Sequence, residues 1–242
     1  IRRRKESGLL KGNEYTIKTI VTSELIKEIA EKNGIPCYDV YTGFKWIADM
    51  IRQKGAEGYI GAGEESFGFM PGSFTRDKDA VSSTSLMAEI AAWAKDQGKS
   101  LFDILKEIYA TYGFSQEKMI YIVRKGLSGA QEIQEMMNAL RHNTPETINH
   151  SPVAVKKDYA DLIESDLLTG HTQKMDFPTT SDVLQFFLAD GCKISVRPSG
   201  TEPKIKFYFE ARADMKSAED FHKAQQEASA KIEAMMADLK IG

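Results

Sequence analysis

The sequence predicts an α/β protein in which a three-layer, mainly parallel α/β/α domain precedes a smaller α+β domain with an antiparallel sheet. Two observations lead to this prediction. Strands and helices alternate over residues 1–113, which is typical of right-handed crossovers and a parallel sheet. Farther along, two strand-like segments flank Asp190-Gly191, a strong hairpin signal, and a helical segment follows them. We therefore expect two domains, covering 1–115 and 116–242.

The first domain is expected to contain three strands with helices between them. Strands are predicted at three segments rich in β-branched or aromatic residues: 15–21, 37–40 and 59–62. Thr22 or Ser23 can cap the first helix, whose apolar residues recur at helical spacing. After the third strand, the glycine-flanked residues 63–68 are expected to form a loop.

Two longer helices are expected to complete the first domain. Asp77 or Asp79 can cap the first of them. Its core-facing side chains are predicted to be Val81, Leu86, Ile90 and Trp93. Ser100 and Asp103 form an S-x-x-D capping pair for the second helix, and Gly113 is expected to end it.

The second domain is expected to combine strands with two helices. Strands are predicted at 119–123, 183–188, 193–196 and 204–211, the last with Ile205, Phe207 and Phe209 on one side. Ser128 with Gln131 is a capping pair for one helix, and Ser217 with Asp220 is a capping pair for the last. Residues 143–182 have weak periodicity, and we predict no element there.

The composition argues against two classes of partner. A net charge of −3 disfavours nucleic acid, and no apolar run approaches the roughly 20 residues that cross a bilayer. The basic N-terminus lacks an apolar signal region, and the first residue is Ile rather than Met, so we expect a cytoplasmic protein with residues missing upstream. Cys37 and Cys192 are expected to be free thiols, and the scattered histidines predict no metal site.

The sharpest functional signal is the segment RPSGTEPK, which begins at Arg197. The guanidinium of Arg197 can bind phosphate oxygens in bidentate fashion, and the hydroxyls of Ser199 and Thr201 are further donors. Gly200 allows successive backbone amides to approach one anion. The alternative is an ordinary polar turn in which Arg197 pairs with Glu202.

A second candidate is the segment GEESFGF, which begins at Gly63. Glu64 and Glu65 can accept hydrogen bonds from the vicinal hydroxyls of a sugar, and Ser66 can donate as well as accept. The alternative is a solvated acidic turn. Metal binding is a third option, weakened because adjacent side chains of an extended chain point to opposite sides.

The third candidate is Tyr41-Thr42-Gly43-Phe44-Lys45. Lys45 stands at the start of a predicted helix, beside a Thr-Gly turn, where its ammonium group could contact a phosphate as a compact charge. The alternative is a solvated surface lysine.

Together, the three segments resemble the α-D-phosphohexomutases, and in particular their phosphoglucomutase branch. GEESFGF resembles the sugar-recognition loop, RPSGTEPK resembles the C-terminal phosphate-binding loop, and TGFK resembles a Thr-Gly-x-Lys turn, in the family's order. The resemblance implies the third and fourth domains of a four-domain enzyme. Residues 1–115 would be the sugar-binding domain three, and 116–242 would hold linker elements and the phosphate-binding domain.

The resemblance also implies roles for individual residues. Substrate contacts would come from Gly63, Glu64, Glu65, Ser66, Thr42 and Gly43. Phosphate contacts would come from Arg197, Ser199, Gly200, Thr201 and Lys206, the last at a position where the family often has arginine. Lys45 would be a phosphate contact or a proton-transfer residue.

The family's loops for its phosphoserine and its Mg²⁺, which resemble TASHNP and DxDxDR, do not occur in this sequence. The resemblance thus implies an intact isomerase that interconverts glucose 1-phosphate and glucose 6-phosphate through glucose 1,6-bisphosphate. Its Mg²⁺ and phosphoserine would lie in N-terminal domains outside this chain, which alone would bind sugar phosphates and convert none. The alternatives are a stand-alone phosphosugar-binding or regulatory module, a scaffold domain, or a fragment of a phosphopentomutase or phosphomannomutase.

Overall fold

A computed structural model describes residues 1–124, 126, 128–200 and 202–241. The chain forms two compact units. The first comprises Ile1–Gly113 with Met215–Glu219, and the second comprises Phe114–Asp214 with Asp220–Gly242. Across the described residues, we find no helix with the length and hydropathy needed to traverse a bilayer.

The first unit is built around a four-stranded sheet. Its elements are α1 (Arg2–Glu6), β1 (Tyr15–Thr19), α2 (Glu24–Lys32), β2 (Cys37–Val40), α3 (Phe44–Lys54), β3 (Tyr59–Glu64), β4 (Gly68–Met70), α4 (Ala80–Asp96) and α5 (Leu101–Tyr112). The strand order is β2-β1-β3-β4, with β1 parallel to β2 and β3, and β4 antiparallel to β3. Because α2 and α3 make crossovers in opposite directions, right-handedness places them on opposite faces of the sheet. The predicted mainly parallel α/β fold is confirmed.

The two faces of this sheet have different chemistry. The face toward α3 is an apolar core of Tyr15, Ile17, Val40, Phe44, Ile47, Ile51, Tyr59, Ala62 and Met70. Side chains alternate across β1, so Lys18 points to the other face, where it is fully buried. Its Nζ lies 2.8 Å from a carboxylate oxygen of Glu24 and 2.8 Å from one of Asp39. Burial alone would lower the pKa of Lys18, but Asp39 and Glu24 outweigh it and raise that pKa.

Side-chain caps begin three helices of the first unit, α2, α4 and α5, at the predicted positions. The hydroxyl of Ser23 accepts a hydrogen bond from the amide of Leu25, which begins α2. The carboxylate of Asp79 accepts amide hydrogen bonds in the first turn of α4. Ser100 and Asp103 form the reciprocal capping box of α5. Each cap satisfies amides that a helix leaves without partners, so the helix boundaries follow from local sequence.

Two expectations for the first unit are wrong. Val81 is 78% exposed, because its position, nine residues before Ile90, lies about 180° away around the helix axis. Leu86, Ile90 and Trp93 are half-buried. The expected loop at 63–68 is also shorter, because β3 continues to Glu64 and pairs with β4 from Gly68. The backbone groups of these glycine-rich residues are satisfied by an antiparallel hairpin.

The second unit is an antiparallel sheet with helices. Its elements are β5 (Phe114–Val123), α6 (Gly129–His142), β6 (Thr147–Ile148), β7 (Ser151–Asp158), β8 (Ile163–Asp166), β9 (Thr172–Lys174), β10 (Leu184–Leu188), β11 (Lys193–Pro198), β12 (Lys204–Ala213) and α7 (Phe221–Asp238). The strand order is β5-β12-β11-β10-β7-β8-β9, and β6 pairs with β7. All neighbours are antiparallel, which confirms the predicted α+β class.

Strands β6 to β9 occupy the region for which the sequence predicts no element. The side chains of β9 are exposed and those of β8 are at most half-buried, so neither strand carries a strong apolar alternation. The outer strands are therefore held by strand pairing, β8 with β7 and β9 with β8, rather than by an apolar pattern of their own.

The predicted cap at Ser128 is wrong. Its hydroxyl donates to the carboxylate of Glu132, at 3.0 Å, and the side chain of Gln131 donates to Glu135. At the last helix, α7 begins at Phe221 after a 3-10 turn (Ala218–Asp220), so Asp220 immediately precedes it. Polar side chains at helical spacing can bond to each other as well as to backbone amides. At the start of α6, side-chain pairs form in place of the predicted capping pair of Ser128 and Gln131.

The two faces of β12 also divide by chemistry. Ile205, Phe207 and Phe209 are buried, as the alternation predicts. They share their face with the even-numbered residues of β5, and Phe114 on that face packs edge-to-face on Phe221 of α7, with ring centroids 5.7 Å apart. The opposite face carries Lys204 and Lys206, which places their charges at the loop that joins β11 to β12.

Candidate functional site

The hairpin formed by β3 and β4 positions the acidic segment. Glu64 is the last residue of β3 and lies opposite Gly68 in the register. The turn at its tip contains Phe67, which has φ of 62° and a fully exposed side chain. The carboxylates of this segment therefore stand at the end of a strand, where open α/β sheets place their ligands.

Glu64 has one carboxylate oxygen paired and one unpaired. Its side chain is only 6% exposed, and Ser66 Oγ donates to Glu64 Oε1 at 2.8 Å. Within the described part of the chain, the buried Oε2 has no hydrogen-bond partner. A buried acceptor without a donor lowers stability by roughly 1–3 kcal/mol. A donor from outside the chain, such as a ligand hydroxyl, would satisfy it.

Glu65 points away from Glu64. Its Oε2 accepts hydrogen bonds from Thr19 Oγ1 at 3.1 Å and from Thr22 Oγ1 at 3.4 Å, at the end of β1. The two adjacent carboxylates therefore do not converge on one point. Among the residues that the structure describes, no three His, Cys, Asp or Glu side chains are grouped closely enough to hold a metal ion.

Lys78 lies beside the candidate site, a position that the sequence alone did not reveal. Its Nζ lies 3.9 Å from Glu64 Oε1, and its side chain is 56% exposed. With Phe67 and Phe69 it lines an open cleft of about 300 Å³. Nothing in the sequence distinguishes Lys78 from an ordinary surface lysine before a helix cap, because its proximity to Glu64 arises from the hairpin.

Phe44 connects the Thr-Gly turn to the acidic hairpin. A Cβ atom on Gly68 would lie 2.4 Å from its ring, so the ring contacts that glycine directly. Gly43 precedes α3 with φ of 115°, a conformation that favours glycine. Lys45, in the first turn of α3, is exposed, with its Nζ 5.0 Å from the centroid of the Trp46 ring. The structure thus brings two of the three predicted segments together.

The third segment joins β11 to β12. The amide of Ser199 donates to the carbonyl of Lys204 at 2.7 Å, which continues the strand pairing into the loop. This amide is therefore turned into the protein rather than toward an anion. Gly200 is exposed, and a Cβ atom there would meet nothing within 4 Å. Thr201, also predicted to bind phosphate, lies outside the described residues.

Arg197 and Lys206 lie directly opposite each other on β11 and β12. Among the described residues, neither charge has a carboxylate within 4.0 Å, although Glu202 is close enough to Lys206 to interact with it electrostatically. Glu202, the expected alternative partner of Arg197, instead pairs with Lys204 at 2.5 Å, and this contact lowers the pKa of Glu202. Like charges at directly opposed positions destabilise a sheet, so an anion from outside the chain would relieve an unfavourable contact.

Comparisons with known proteins agree on one family. Residues 1–112 match the model described as phosphoglucomutase/phosphomannomutase, alpha/beta/alpha domain III. Residues 130–237 match the model described as phosphoglucomutase/phosphomannomutase, C-terminal domain. The two matches follow each other in the order that the resemblance of the three segments implied.

Individual relatives are longer than this chain. A phosphoglucomutase from Staphylococcus aureus (strain MRSA252) is 37% identical over 217 residues, which are 89% of this chain and 38% of the relative. One from Staphylococcus haemolyticus is 35% identical over 204 residues, or 84% and 37%. The open form of parafusin, a phosphoglucomutase from Paramecium, has a similar fold, with a TM-score of 0.59 at 20% identity, covering 91% of this chain and 38% of that one. The chain thus spans less than two fifths of these relatives.

Proposed function

The chain belongs to the phosphoglucomutase/phosphomannomutase family, and we propose that it is the substrate-binding C-terminal part of a phosphoglucomutase. In the intact enzyme, glucose 1-phosphate and glucose 6-phosphate would interconvert through glucose 1,6-bisphosphate. The N-terminal domains of the longer chain would carry the phosphoserine and the Mg²⁺. The proposal includes a cytoplasmic location, and it assigns sugar contacts to residues 1–115 and phosphate contacts to residues 116–242.

The observation that carries this proposal is the directly opposed pair of Arg197 and Lys206. Two cations at directly opposed positions of a sheet repel each other, and the nearby carboxylate of Glu202 is paired with Lys204. A phosphate dianion would neutralise both, and the planar guanidinium can bind two of its oxygens. The hydroxyl of Ser199 and the close approach allowed by Gly200 would complete the site, together with Thr201.

The acidic hairpin supports the sugar-binding part of the proposal. The unpaired Oε2 of Glu64 requires a donor, and a sugar hydroxyl supplies one. Ser66, already donating to Glu64, can also accept from a second hydroxyl. The ammonium group of Lys78 lies 3.9 Å from the other carboxylate oxygen of Glu64, where it could contact a second polar group of the sugar. The proposal assigns the remaining substrate contacts to Gly63, Glu65, Thr42 and Gly43.

The part of the reaction assigned to this chain is positioning. Phosphoryl transfer depends mainly on orientation and on neutralising charge, and a bisphosphate intermediate must be held in two opposed poses. A pair of cations can hold either phosphate, and hydroxyl-binding acceptors tolerate either direction of the sugar. Lys45 would contact a phosphate or transfer a proton. The Mg²⁺, when bound outside this chain, would stabilise charge on the moving phosphoryl group.

Titration with glucose 6-phosphate tests the anion site. We expect Arg197→Ala to weaken binding to the 242-residue chain roughly 10- to 100-fold, because a charge-assisted contact is lost. We expect Lys206→Ala to weaken binding too, yet to stabilise the free sheet by about 0.2–1 kcal/mol, because the opposed charges are relieved. Chemical shifts measure affinity, and amide exchange of β11 and β12 measures stability. Unchanged binding in Arg197→Ala would contradict the proposal and favour a scaffold domain.

A turnover assay tests the second half of the proposal. With glucose 1-phosphate and a coupled detection of glucose 6-phosphate, we expect no conversion by this chain, because neither phosphoserine loop nor Mg²⁺ loop occurs in its sequence. Measurable turnover would refute this role. Tighter binding of ribose 5-phosphate or mannose 6-phosphate than of glucose 6-phosphate would instead favour the phosphopentomutase or phosphomannomutase alternative.

A further inference from the structure

We propose that Tyr121 is a stacking surface for the sugar ring of a phosphosugar whose phosphate is bound by Arg197 and Lys206. The proposal rests on the proposed function, since it presumes the anion site. It adds a sugar-binding residue that lies in the second unit, outside the acidic hairpin. None of the three sequence segments contains Tyr121, and no helical or strand pattern distinguishes it from other residues of its strand.

The strand register places Tyr121 beside the anion site. Tyr121 lies opposite Lys206, and Lys206 lies opposite Arg197, across three neighbouring strands. Directly opposed residues have Cβ atoms about 4.5–5.5 Å apart and point to the same face. The three side chains therefore form a row about 10 Å long, with two cations at one end and an aromatic ring at the other.

Tyr121 is accessible on this face. Its side chain is 60% exposed, although aromatic residues of this size are usually buried. It belongs to β5, which lies at the edge of the sheet. Met119 and Val123, two residues away on either side, are 49% and 44% exposed. The cation pair is thus bordered by an open apolar strip with one ring directly in line with it.

Lys204 lies beside the ring of Tyr121. Its Nζ lies 5.5 Å from the centroid of the Tyr121 ring, within the range of a cation–π contact. The same ammonium is paired with Glu202, so its charge is already compensated. The cations left for a ligand in this row are those of Arg197 and Lys206.

The chemistry of the row selects a ligand that has both an anionic group and an apolar face. A pyranose ring presents a face of C–H groups that packs on an aromatic ring, while its hydroxyls project from the edges. A phosphosugar therefore contacts all three side chains, whereas inorganic phosphate contacts only the two cations. We therefore expect the chain to bind the phosphosugar more tightly than inorganic phosphate, and we expect Tyr121 to cause the difference.

Parallel titrations with glucose 6-phosphate and inorganic phosphate test this assignment. For Tyr121→Ala we expect affinity for glucose 6-phosphate to fall about 5- to 10-fold, and affinity for inorganic phosphate to stay unchanged. Tyr121→Phe should retain the wild-type affinities, because it keeps the ring. Met119→Ala, an exposed change on the same face of the same strand, is the matched control and should change neither affinity.

These titrations distinguish a failure of the stacking role of Tyr121 from a failure of the proposed function. If Tyr121→Ala leaves both affinities unchanged, or weakens both equally, the stacking role is overturned while the anion site stands. If the wild-type chain binds neither ligand, the proposed function itself fails and the inference fails with it. Arg197→Ala should lower the affinity for both ligands, which distinguishes loss of the anion site from loss of the aromatic ring. Thermal melts of each variant verify that it is folded.

Discussion

Replacing Lys18 by Met is expected to lower the free energy of unfolding of the first unit by about 2–4 kcal/mol, because Glu24 and Asp39 lose their shared cation. This loss is somewhat below the ~3–5 kcal/mol typical of a broken buried pair, since these carboxylates keep some contact with water, at 18% and 28% exposure. Urea denaturation followed by tryptophan fluorescence measures the effect in this unit, because Trp46 and Trp93 both lie in it.

A matched variant separates burial from the loss of a positive charge. Lys27→Met removes a lysine that is 40% exposed and lies 3.9 Å from Glu31 in a helix pair. We expect a change below about 0.5 kcal/mol there, as is usual for exposed pairs. If the two variants lose equal stability, the buried triad does not hold α2 to the sheet.

The effect of Lys18 should also depend on pH. Because the pKa of Lys18 is raised in the folded state, the folded chain retains the proton more strongly than the unfolded chain does. Its stabilisation is complete below the unfolded pKa, near pH ~10, and is lost as the pH rises through the folded pKa. Burial also raises the pKa of Tyr41, to about 12. Its ionisation therefore also lowers the stability of the folded state at high pH, equally in wild type and in Lys18→Met. The difference in stability between wild type and Lys18→Met should therefore shrink above pH ~10, and a constant difference would contradict this account.

The second large effect is expected at Gly68. A Cβ atom there would lie 2.4 Å from the ring of Phe44 and 2.8 Å from Cγ of Glu64. Gly68→Ala must therefore displace a buried ring or the site carboxylate, and we expect it to destabilise the first unit by about 2–3 kcal/mol. It should also weaken sugar binding, because the displaced Glu64 is the proposed acceptor. Tryptophan fluorescence during denaturation and a glucose 6-phosphate titration measure the two effects.

Gly63→Ala is the control for this prediction. Gly63 belongs to the same hairpin, but the nearest atom to an added Cβ would be 3.7 Å away, which is ordinary van der Waals contact. We expect a stability change within about 1 kcal/mol, since the packing does not have to move. Equal losses in the two variants would show that the hairpin requires glycine for backbone reasons rather than for the contact with Phe44.

Local patterns in the sequence were sufficient for most elements. The capping box of Ser100 and Asp103, the alternation of Ile205, Phe207 and Phe209, and the hairpin around Asp190-Gly191 each depend on residues that are near one another in the chain. Where such signals were weak or geometrically inconsistent, the prediction failed, as at residues 143–182 and at Val81. Successive residues of a helix are rotated by about 100°, so apolar residues lie on one face only when their spacing matches that rotation.

The candidate site was predictable only in part. Its segments could be identified from residue chemistry, because arginine, hydroxyls and glycine suit phosphate, and paired acceptors suit a sugar. The sequence did not show which of their polar atoms lack a hydrogen-bond partner within the protein. Glu64 and Glu65 are adjacent and equivalent in sequence, yet one keeps an unpaired oxygen and the other binds Thr19 and Thr22, more than 40 residues away.

The sequence by itself determined the class of fold and most of its elements, and it supplied the candidate segments for a phosphosugar. The tertiary structure decided which charges stand together: Lys78 beside Glu64, Lys18 between two carboxylates, and Arg197 in a row with Lys206 and Tyr121. The physical reason is the range of the interactions. Caps and periodicity act over a few residues, whereas strand register brings together side chains far apart in the chain, and a shift by one residue would turn each of them to the other face.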